Sequence, residues 1–197
     1  NLNIFIMQRT NIQTSISTQQ DPEDPNSFYY YTSNASNGKN HGLNMDLNLN
    51  PTEDLDFYFN MGLLNTQINS YEYYTNDTLI INMPQREAAH APSYTFSGGF
   101  TKKYQDLFWG VNVQGKNWFY FDDSHDEKSK PYSILNLHLG KKINSNMTFS
   151  LWAKNVLDIR YSVRGFYFTL EPDKWTDKLY TIYGEPLSIG LTFNYNL

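Results

Sequence analysis

The sequence predicts an all-β protein, an antiparallel up-and-down transmembrane β-barrel. Apolar and polar residues alternate with a period of two in one segment after another, which is typical of strands with two unlike faces. Short and long connections between these segments also alternate strictly. The composition favours strands over helices, since 16 Tyr and 13 Phe occur among 197 residues.

About eight strands follow from this alternation. An opening strand is predicted from about residue 2 to residue 18, and a closing strand covers the last eleven residues. Three hairpins are expected between them. They pair 43–49 with 55–63 across "NPTED", 94–102 with 107–113 across "KYQD", and 135–139 with 147–153 across "KKINSN".

The lengths of the connections indicate how the strands are arranged. Short turns are predicted at 50–54, 104–106 and 142–146, and long connections near 19–27, 67–91, 122–130 and 158–184. In a meander, every short turn then lies at one end and every long loop at the other. Outer-membrane barrels have this asymmetry, with short periplasmic turns and longer extracellular loops. Both chain ends would be periplasmic.

Alternation alone also fits a soluble, lipocalin-like barrel. The polar residues within the predicted strands are mostly Asn, Ser, Thr, Gly and Gln, whereas a soluble exterior is rich in charged side chains. Aromatic residues stand at strand ends, where interfacial girdles form, as at Tyr94, Tyr104 and Tyr195. Both observations favour the membrane barrel.

Composition excludes several other classes. The formal net charge of −5 and the pI near 5.3 disfavour a nucleic-acid partner. The absence of cysteine excludes disulfides and thiolate metal sites, and no run approaches the roughly 20 apolar residues of a spanning helix. Because Asn1 is not an initiator Met and no signal peptide opens the chain, we expect a processed product or a piece of a longer protein.

Four segments resemble motifs of the TonB-dependent outer-membrane receptors. In chain order they are "NASNGKNHGLNMDLNLNP", "REAAHAPSYTFSGGFTKKY", "LWAKNVLDIRYSVRGFYF" and "YGEPLSIGLTFNYNL". Their order and spacing extend over nearly the whole chain. The sequence departs from the family pattern at Leu187, where Arg is usual after Pro186, and at Leu197, where the terminal residue is usually Phe.

The resemblance implies a receptor of the bacterial cell outer membrane whose barrel, of the roughly 22-stranded type, encloses a plug. Residues 1–197 would be the C-terminal portion of the barrel domain, with about eight of its strands, and the plug domain would be absent from this chain. The implied function is active uptake of a scarce solute, with an iron–siderophore complex as the expected cargo. Such a fragment alone should not transport.

The resemblance also implies partners. They are outer-membrane lipid and lipopolysaccharide, the TonB complex through the missing N-terminal region, the barrel-assembly machinery, and a small-molecule ligand such as a metal chelate. The assembly machinery would read the closing strand, through Leu191, Phe193, Tyr195 and Leu197. Any closing strand of a membrane barrel needs the same pattern for contact with lipid, and both explanations can hold together.

Aromatic and basic residues in the long connections are candidates for ligand contacts at the outer rim. Aromatic rings could stack on a planar ligand while basic groups meet its negative charge. The alternative is an interfacial girdle with loop packing. The candidate contacts are Trp118, Tyr120, Arg160, Arg164, Phe166 and Trp175.

Catalysis and metal binding are not predicted. The segment "FDDSHDEKSK" gathers acidic residues and a histidine, but their spacing matches no calcium loop, so a solvated loop is favoured. No nucleophile motif occurs, no cofactor is implied, and we expect no enzyme. The alternative function is a self-contained eight-stranded outer-membrane barrel that acts as an anchor or adhesin.

Overall fold

Strands account for the regular structure of this chain. The computed structural model describes residues 1–19, 21, 23–24, 27–34, 36–74, 80–168 and 178–196. None of the described residues belongs to a helix that is long and apolar enough to cross a membrane. The strands are β1 (Leu2–Arg9), β2 (Gln13–Gln19), β3 (Phe28–Asn34), β4 (Gly38–Thr52), β5 (Leu55–Ile68), β6 (Tyr71–Tyr74), β7 (Ile80–Met83), β8 (Tyr94–Tyr104), β9 (Leu107–Lys116), β10 (Tyr132–Lys142), β11 (Met147–Lys154), β12 (Ser162–Phe168), β13 (Lys178–Tyr183) and β14 (Ser188–Tyr195).

Eight strands form one antiparallel sheet in the order β1-β4-β5-β8-β9-β10-β11-β14. Each is hydrogen-bonded to the next, as predicted for an up-and-down meander. The short turns at 53–54, 105–106 and 143–146 lie at one end, here called the turn end, and the longer connections lie at the opposite loop end. Among the described residues β1 and β14 do not pair with each other, so the closed eight-stranded barrel of the alternative function is not formed.

The prediction of a single opening strand over residues 2–18 is wrong. This segment forms two strands: β1 joins the large sheet, and β2 pairs only with β3. The division falls at Asn11, whose φ of 53° is left-handed and redirects the chain. The backbone N–H of Ile12 then donates to the carbonyl of Ser36 at 2.8 Å, which fixes the new direction. Two further long connections also contain hairpins, β6–β7 and β12–β13.

One face of the large sheet is apolar across its full width. The register places apolar residues directly opposite one another on successive strands, which gives rows that cross the sheet. One row consists of Leu49, Phe57, Phe100, Val111, Leu137, Ala153 and Ile189. On β14 this face is two-thirds exposed at Ile189 and Leu191. Such a broad exposed apolar face is suited to lipid.

The opposite face is largely polar and uncharged. Asn112 donates through Nδ2 to the hydroxyl of Tyr58, Asn136 donates to Oδ1 of Asn112 at 2.8 Å, and the backbone of Asn155 donates to Oδ1 of Asn136 at 2.9 Å. These bonds form a network that crosses β5, β9 and β10. Because amide groups donate and accept, the network satisfies itself and still faces a hydrated lumen.

Large rings on this polar face are accommodated by glycine on the neighbouring strand. Phe108 is paired with Gly140, and Trp152 with Gly190. A Cβ atom at either glycine would overlap the facing ring. The Trp152 indole N–H donates to Thr192 Oγ1 at 3.1 Å, so its polar edge is also satisfied. Bulky aromatic side chains can therefore lie flat against the lumen wall.

Candidate functional site at the loop end

The connection 117–131 between β9 and β10 is folded against the loop end by two buried rings. Phe119 is 1% exposed and Phe121 is 4% exposed, and their rings meet edge to face with centroids 5.5 Å apart. Ser129 closes the segment, because its Oγ accepts from the Phe119 N–H and its own N–H donates to the Phe119 carbonyl. Alternation along this short stretch directs Trp118 and Tyr120 away from Phe119.

Trp118 and Tyr120 form a cation–aromatic cluster with Arg86 and Lys128. The two rings are nearly perpendicular, with centroids 5.6 Å apart. Lys128 Nζ lies 3.7 Å from the centroid of Trp118 and 4.6 Å from that of Tyr120. The Arg86 guanidinium lies 4.4 Å from the Tyr120 centroid. Lys128 is exposed and presents one positive charge beside two flat rings, a combination suited to a planar anion, whereas the Arg86 side chain is only 7% exposed.

Arg86 is fixed in place although its charge is only partly compensated. Its side chain is 7% exposed, and it donates from Nη2 to the His125 carbonyl at 2.5 Å. Nη1 lies 3.5 Å from the carboxylate of Asp126, which is 97% exposed. Arg86 Nε is buried and has no hydrogen-bond partner among the described residues. This Nε group is enclosed by protein, so it does not face a ligand at the surface.

Residues of the acidic segment of this loop contact other protein groups. Asp122 Oδ2 lies 2.6 Å from Nδ1 of His125, and Asp123 accepts from the backbone of Ala89 at 2.9 Å. The described residues include no group of three or more His, Asp or Glu positioned to hold a metal. The prediction of a solvated loop fits Asp126, whereas Asp122 and Asp123 are only partly exposed and contact protein groups.

A second contact joins this loop to β12. The rings of His125 and Tyr167 stack at 3.5 Å, only 10° from parallel. The Tyr167 hydroxyl donates to Glu127 Oε2 at 2.5 Å. Burial, and then the bond to Glu127, raises the pKa of Tyr167, while the same bond lowers the pKa of Glu127. Gly165 lies against the Phe121 ring, so the loop and the β12–β13 hairpin pack together.

The other predicted contacts lie on or next to this hairpin. The Arg160 guanidinium lies 4.0 Å from the ring centroid of Tyr183, and Phe166 stacks on Tyr180 at 5.7 Å. Arg164 is exposed. Trp175 lies outside the described residues. The structure thus unites Trp118 and Tyr120 in one cluster and places Arg160, Arg164 and Phe166 on the adjoining element, outside that cluster.

Arg86 and Lys128 were not predicted as site residues. Lys128 belongs to the acidic segment that the sequence assigns to solvent, and Arg86 opens a segment quoted only for its family resemblance. Arg86 reaches Tyr120 from a separate connection, whereas Lys128 reaches it through an antiparallel bridge within the same connection, and no spacing along the chain predicts either contact. The only sequence signal is the aromatic pair itself, since Trp and Tyr two residues apart in a strand-like segment share a face.

The polar face also contains a recess of about 620 Å³ below the loops. Most of its wall is formed by polar side chains. Amide and hydroxyl groups come from residues such as Asn44, Asn60, Ser97 and Gln114, and Asp46 and Lys116 contribute one charge each. Lys116 Nζ lies 4.3 Å from the Phe119 centroid, which links this wall to the buried ring of the loop above. A hydrated solute could exchange hydrogen bonds with water along this surface.

The closing strand has the exposed apolar face that its sequence predicts. Leu191, Phe193 and Tyr195 are 65%, 60% and 52% exposed and pair with Leu151, Phe149 and Met147 of β11. Leu197 lies outside the described residues. The outward apolar face, the polar inner face and the unequal ends together define a transmembrane β-barrel wall of the outer-membrane type.

A family model described as "TonB dependent receptor-like, beta-barrel" matches residues 1–156. The chain therefore belongs to the TonB-dependent receptor β-barrel family. Members of this family are bacterial outer-membrane proteins that act as transporters and are not enzymes, and at this level they bind small-molecule ligands and TonB. The predicted fold class, localisation and non-enzymatic character are thereby confirmed.

Solved structures of low sequence identity share the fold. The siderophore receptor PiuA from Acinetobacter baumannii matches with a TM-score of 0.70 and 16% identity over 98% of this chain and 26% of its own. The ferric yersiniabactin uptake receptor FyuA from Yersinia pestis matches with a TM-score of 0.67 and 14% identity over 98% of this chain and 30% of its own. The copper transporter OprC matches with a TM-score of 0.71 and 10% identity over 98% of this chain and 29% of its own. The chain thus spans less than a third of these proteins.

Proposed function

We propose that residues 1–197 are the C-terminal portion of the barrel domain of a TonB-dependent outer-membrane transporter, and that its cargo is an iron–siderophore complex. The family match and the eight-stranded meander support the first statement. The plug domain belongs to the part of the receptor outside this chain. Among the similar structures, PiuA is named as a siderophore receptor and FyuA as a ferric yersiniabactin uptake receptor, which favours this cargo class.

The cation–aromatic cluster is the observation that supports the cargo most directly. Trp118 and Tyr120 offer ring surfaces at right angles, and Lys128 Nζ lies over both. A chelate with planar groups and net negative charge would stack on Trp118 and replace part of the contact that Lys128 makes with the ring. Arg164 and Phe166 on the adjoining hairpin, with Arg160 just before it, would extend the contact surface around the ligand.

Uptake would then proceed through the lumen of the complete receptor. Extracellular loops and the plug would capture the chelate, and the inner-membrane proton gradient, relayed by TonB, would rearrange the plug. This chain would supply part of the barrel wall, with its largely polar lining, and part of the rim. Its last strand, through Leu191, Phe193, Tyr195 and Leu197, would also be read by the barrel-assembly machinery.

The cargo is tested by uptake of radiolabelled iron–siderophore complexes into iron-starved cells that produce the full-length receptor. Trp118→Ala and Lys128→Gln should each weaken binding of the transported chelate by about two- to tenfold, because one stacking or cation–π contact is lost. Lys130→Gln is the matched control, since it removes the same charge from the same loop two residues away. Deletion of TonB should abolish uptake by every variant.

Either of two results would contradict the proposal. If uptake continues without TonB, the transport mechanism is wrong. If Trp118→Ala and Lys128→Gln bind every tested iron chelate as the parent does, the cluster is loop packing and not a ligand site.

The assembly role has its own test: Phe193→Ala should lower the amount of receptor in the outer membrane, whereas Asn194→Ala, on the opposite face, should not.

A further inference from the structure

A lysine that forms no ion pair with the described residues lies on the lipid-facing surface near the turn end. The register places Tyr104, Leu107, Lys141, Phe149 and Phe193 in one row across five strands. The four apolar or aromatic members are 67%, 44%, 43% and 60% exposed in that order. Lys141 is exposed as well. Within this row one ammonium group is thus set among apolar and aromatic side chains.

A second lysine on this face shows how the protein neutralises such a charge internally. Lys102 stands opposite Leu55 and Trp109, one row nearer the middle of the sheet. Its Nζ lies 2.5 Å from Oδ2 of Asp54 in the adjacent turn. The hydrogen bond from Lys102, followed by that from Thr52, lowers the pKa of Asp54 to about 2. Lys102 therefore has its counter-ion within the chain.

Lys141 has no such counter-ion. Across the described part of the chain, no carboxylate lies within 4.0 Å of its Nζ. Asp106 is the acidic residue of the adjacent turn, but its carbonyl accepts from the Lys142 backbone and its carboxylate makes no ion pair with Lys141. A lysine at the edge of a hydrocarbon layer extends its ammonium group towards the headgroups.

We propose that Lys141 binds the phosphate of an anionic phospholipid in the leaflet at the turn end, which is the periplasmic leaflet in this class of barrel. The Tyr104 hydroxyl lies at the same level and can donate to the same headgroup. Leu107 and Phe149 flank the lysine, and Phe193 lies beyond Phe149 in the same row, so that these side chains form the surface for the acyl chains. Lys142, the next residue, lies on the opposite face because side chains alternate along the strand, and it takes no part in the site.

This site depends on insertion in the membrane and not on the transported solute, so it goes beyond the proposed function. It can be measured without chelate or TonB. Native mass spectrometry of the full-length receptor, purified in detergent with equal amounts of phosphatidylglycerol and phosphatidylcholine, counts the lipids that stay bound. The parent protein should retain phosphatidylglycerol in preference.

Lys141→Gln should reduce the retained phosphatidylglycerol, relative to phosphatidylcholine, by about fivefold, the effect of one lysine near a charged membrane surface. Lys141→Arg should keep most of the preference. Lys39→Gln is the matched control, because Lys39 stands opposite Gln8 and Gln67 on the same face but at the loop end. Lys141→Met provides a second charge removal with a similar apolar stem if the glutamine variant fails to insert.

Four outcomes would overturn the proposal. Unchanged retention in both Lys141 charge-removal variants would show that Lys141 does not bind phospholipid. Equal retention of phosphatidylcholine by the parent would reduce the contact to ordinary boundary lipid. An equal loss of retained phosphatidylglycerol in Lys39→Gln would indicate a general effect of surface charge. Co-purified lipopolysaccharide that is lost in Lys141→Gln would place the ligand in the other leaflet.

Discussion

Replacement of Asn155 by Ala should release the start of the closing strand. Asn155 is 1% exposed and has a left-handed φ of 49°. Its Nδ2 donates to the carbonyls of Ile159 and Glu185 at 2.9 and 3.0 Å, and its Oδ1 accepts from the Ile159 N–H at 3.0 Å. One side chain therefore ties the turn after β11 to the segment that leads into β14.

The expected loss can be worked out from these contacts. Three hydrogen bonds at about 1 kcal/mol each give about 3 kcal/mol. Alanine also adopts the left-handed conformation less readily, which adds about 1 kcal/mol. Asn155→Ala should therefore lower the free energy of unfolding by about 4 kcal/mol. Asn155→Gly loses the same bonds without the conformational cost and should be about 1 kcal/mol less destabilised than the alanine variant.

Urea unfolding of the full-length receptor in lipid vesicles, followed by the gel-mobility difference between folded and unfolded barrels, measures both variants. Asn194→Ala is the control, since Asn194 is exposed on β14 and not within this turn. A loss below about 1 kcal/mol in Asn155→Ala would refute the assigned role of the three bonds. A glycine variant as unstable as the alanine variant would refute the conformational part of the argument.

Three further predictions concern separate features. Gly140→Ala should cost about 1–3 kcal/mol in the same unfolding assay, because its Cβ would overlap the Phe108 ring, whereas Gly62→Ala, with more room, should be tolerated. Because Lys102 depresses the pKa of Asp54 to about 2, this ion pair stabilises the folded protein fully above about pH 4 and is lost as the pH falls towards 2. Asp54→Asn should remove that component from the pH dependence of unfolding, and an unchanged profile would contradict it. Tyr167→Phe removes the bond that lowers the pKa of Glu127, so the Glu127 carboxyl should titrate at higher pH by NMR.

The strands of the barrel wall could be predicted because the residues that determine each strand are neighbours in the sequence. The two faces of each strand follow from alternation, and the turns at 53–54, 105–106 and 143–146 follow from interruptions of that pattern. The alternation in Gln13–Gln19 looks like a continuation of β1, so the change of partner at Asn11 was missed. A single left-handed residue ends the ladder without any break in the polar pattern.

The candidate site could be predicted only in part. Trp118 and Tyr120 are predicted because they belong to an aromatic cluster in a long connection, where rings could stack on a planar ligand. Arg86 and Lys128 come from other positions, and their contacts with Tyr120 depend on how 84–93 and 117–131 pack. The motif residue Asn155 was likewise quoted for its resemblance, while its role requires the positions of Ile159 and Glu185. The roles of Arg160, Arg164, Phe166 and Trp175 stay predictions.

The three hairpins at the loop end give this protein room for evolutionary change. β2–β3, β6–β7 and β12–β13 are two-stranded sheets that share no ladder with the large sheet. Insertions or substitutions in them can alter the surface at the loop end while the register of the wall stays unchanged. Selection can thus diversify the exterior of the receptor at little cost to its assembly, provided that packing contacts such as Phe121 against Gly165 are kept.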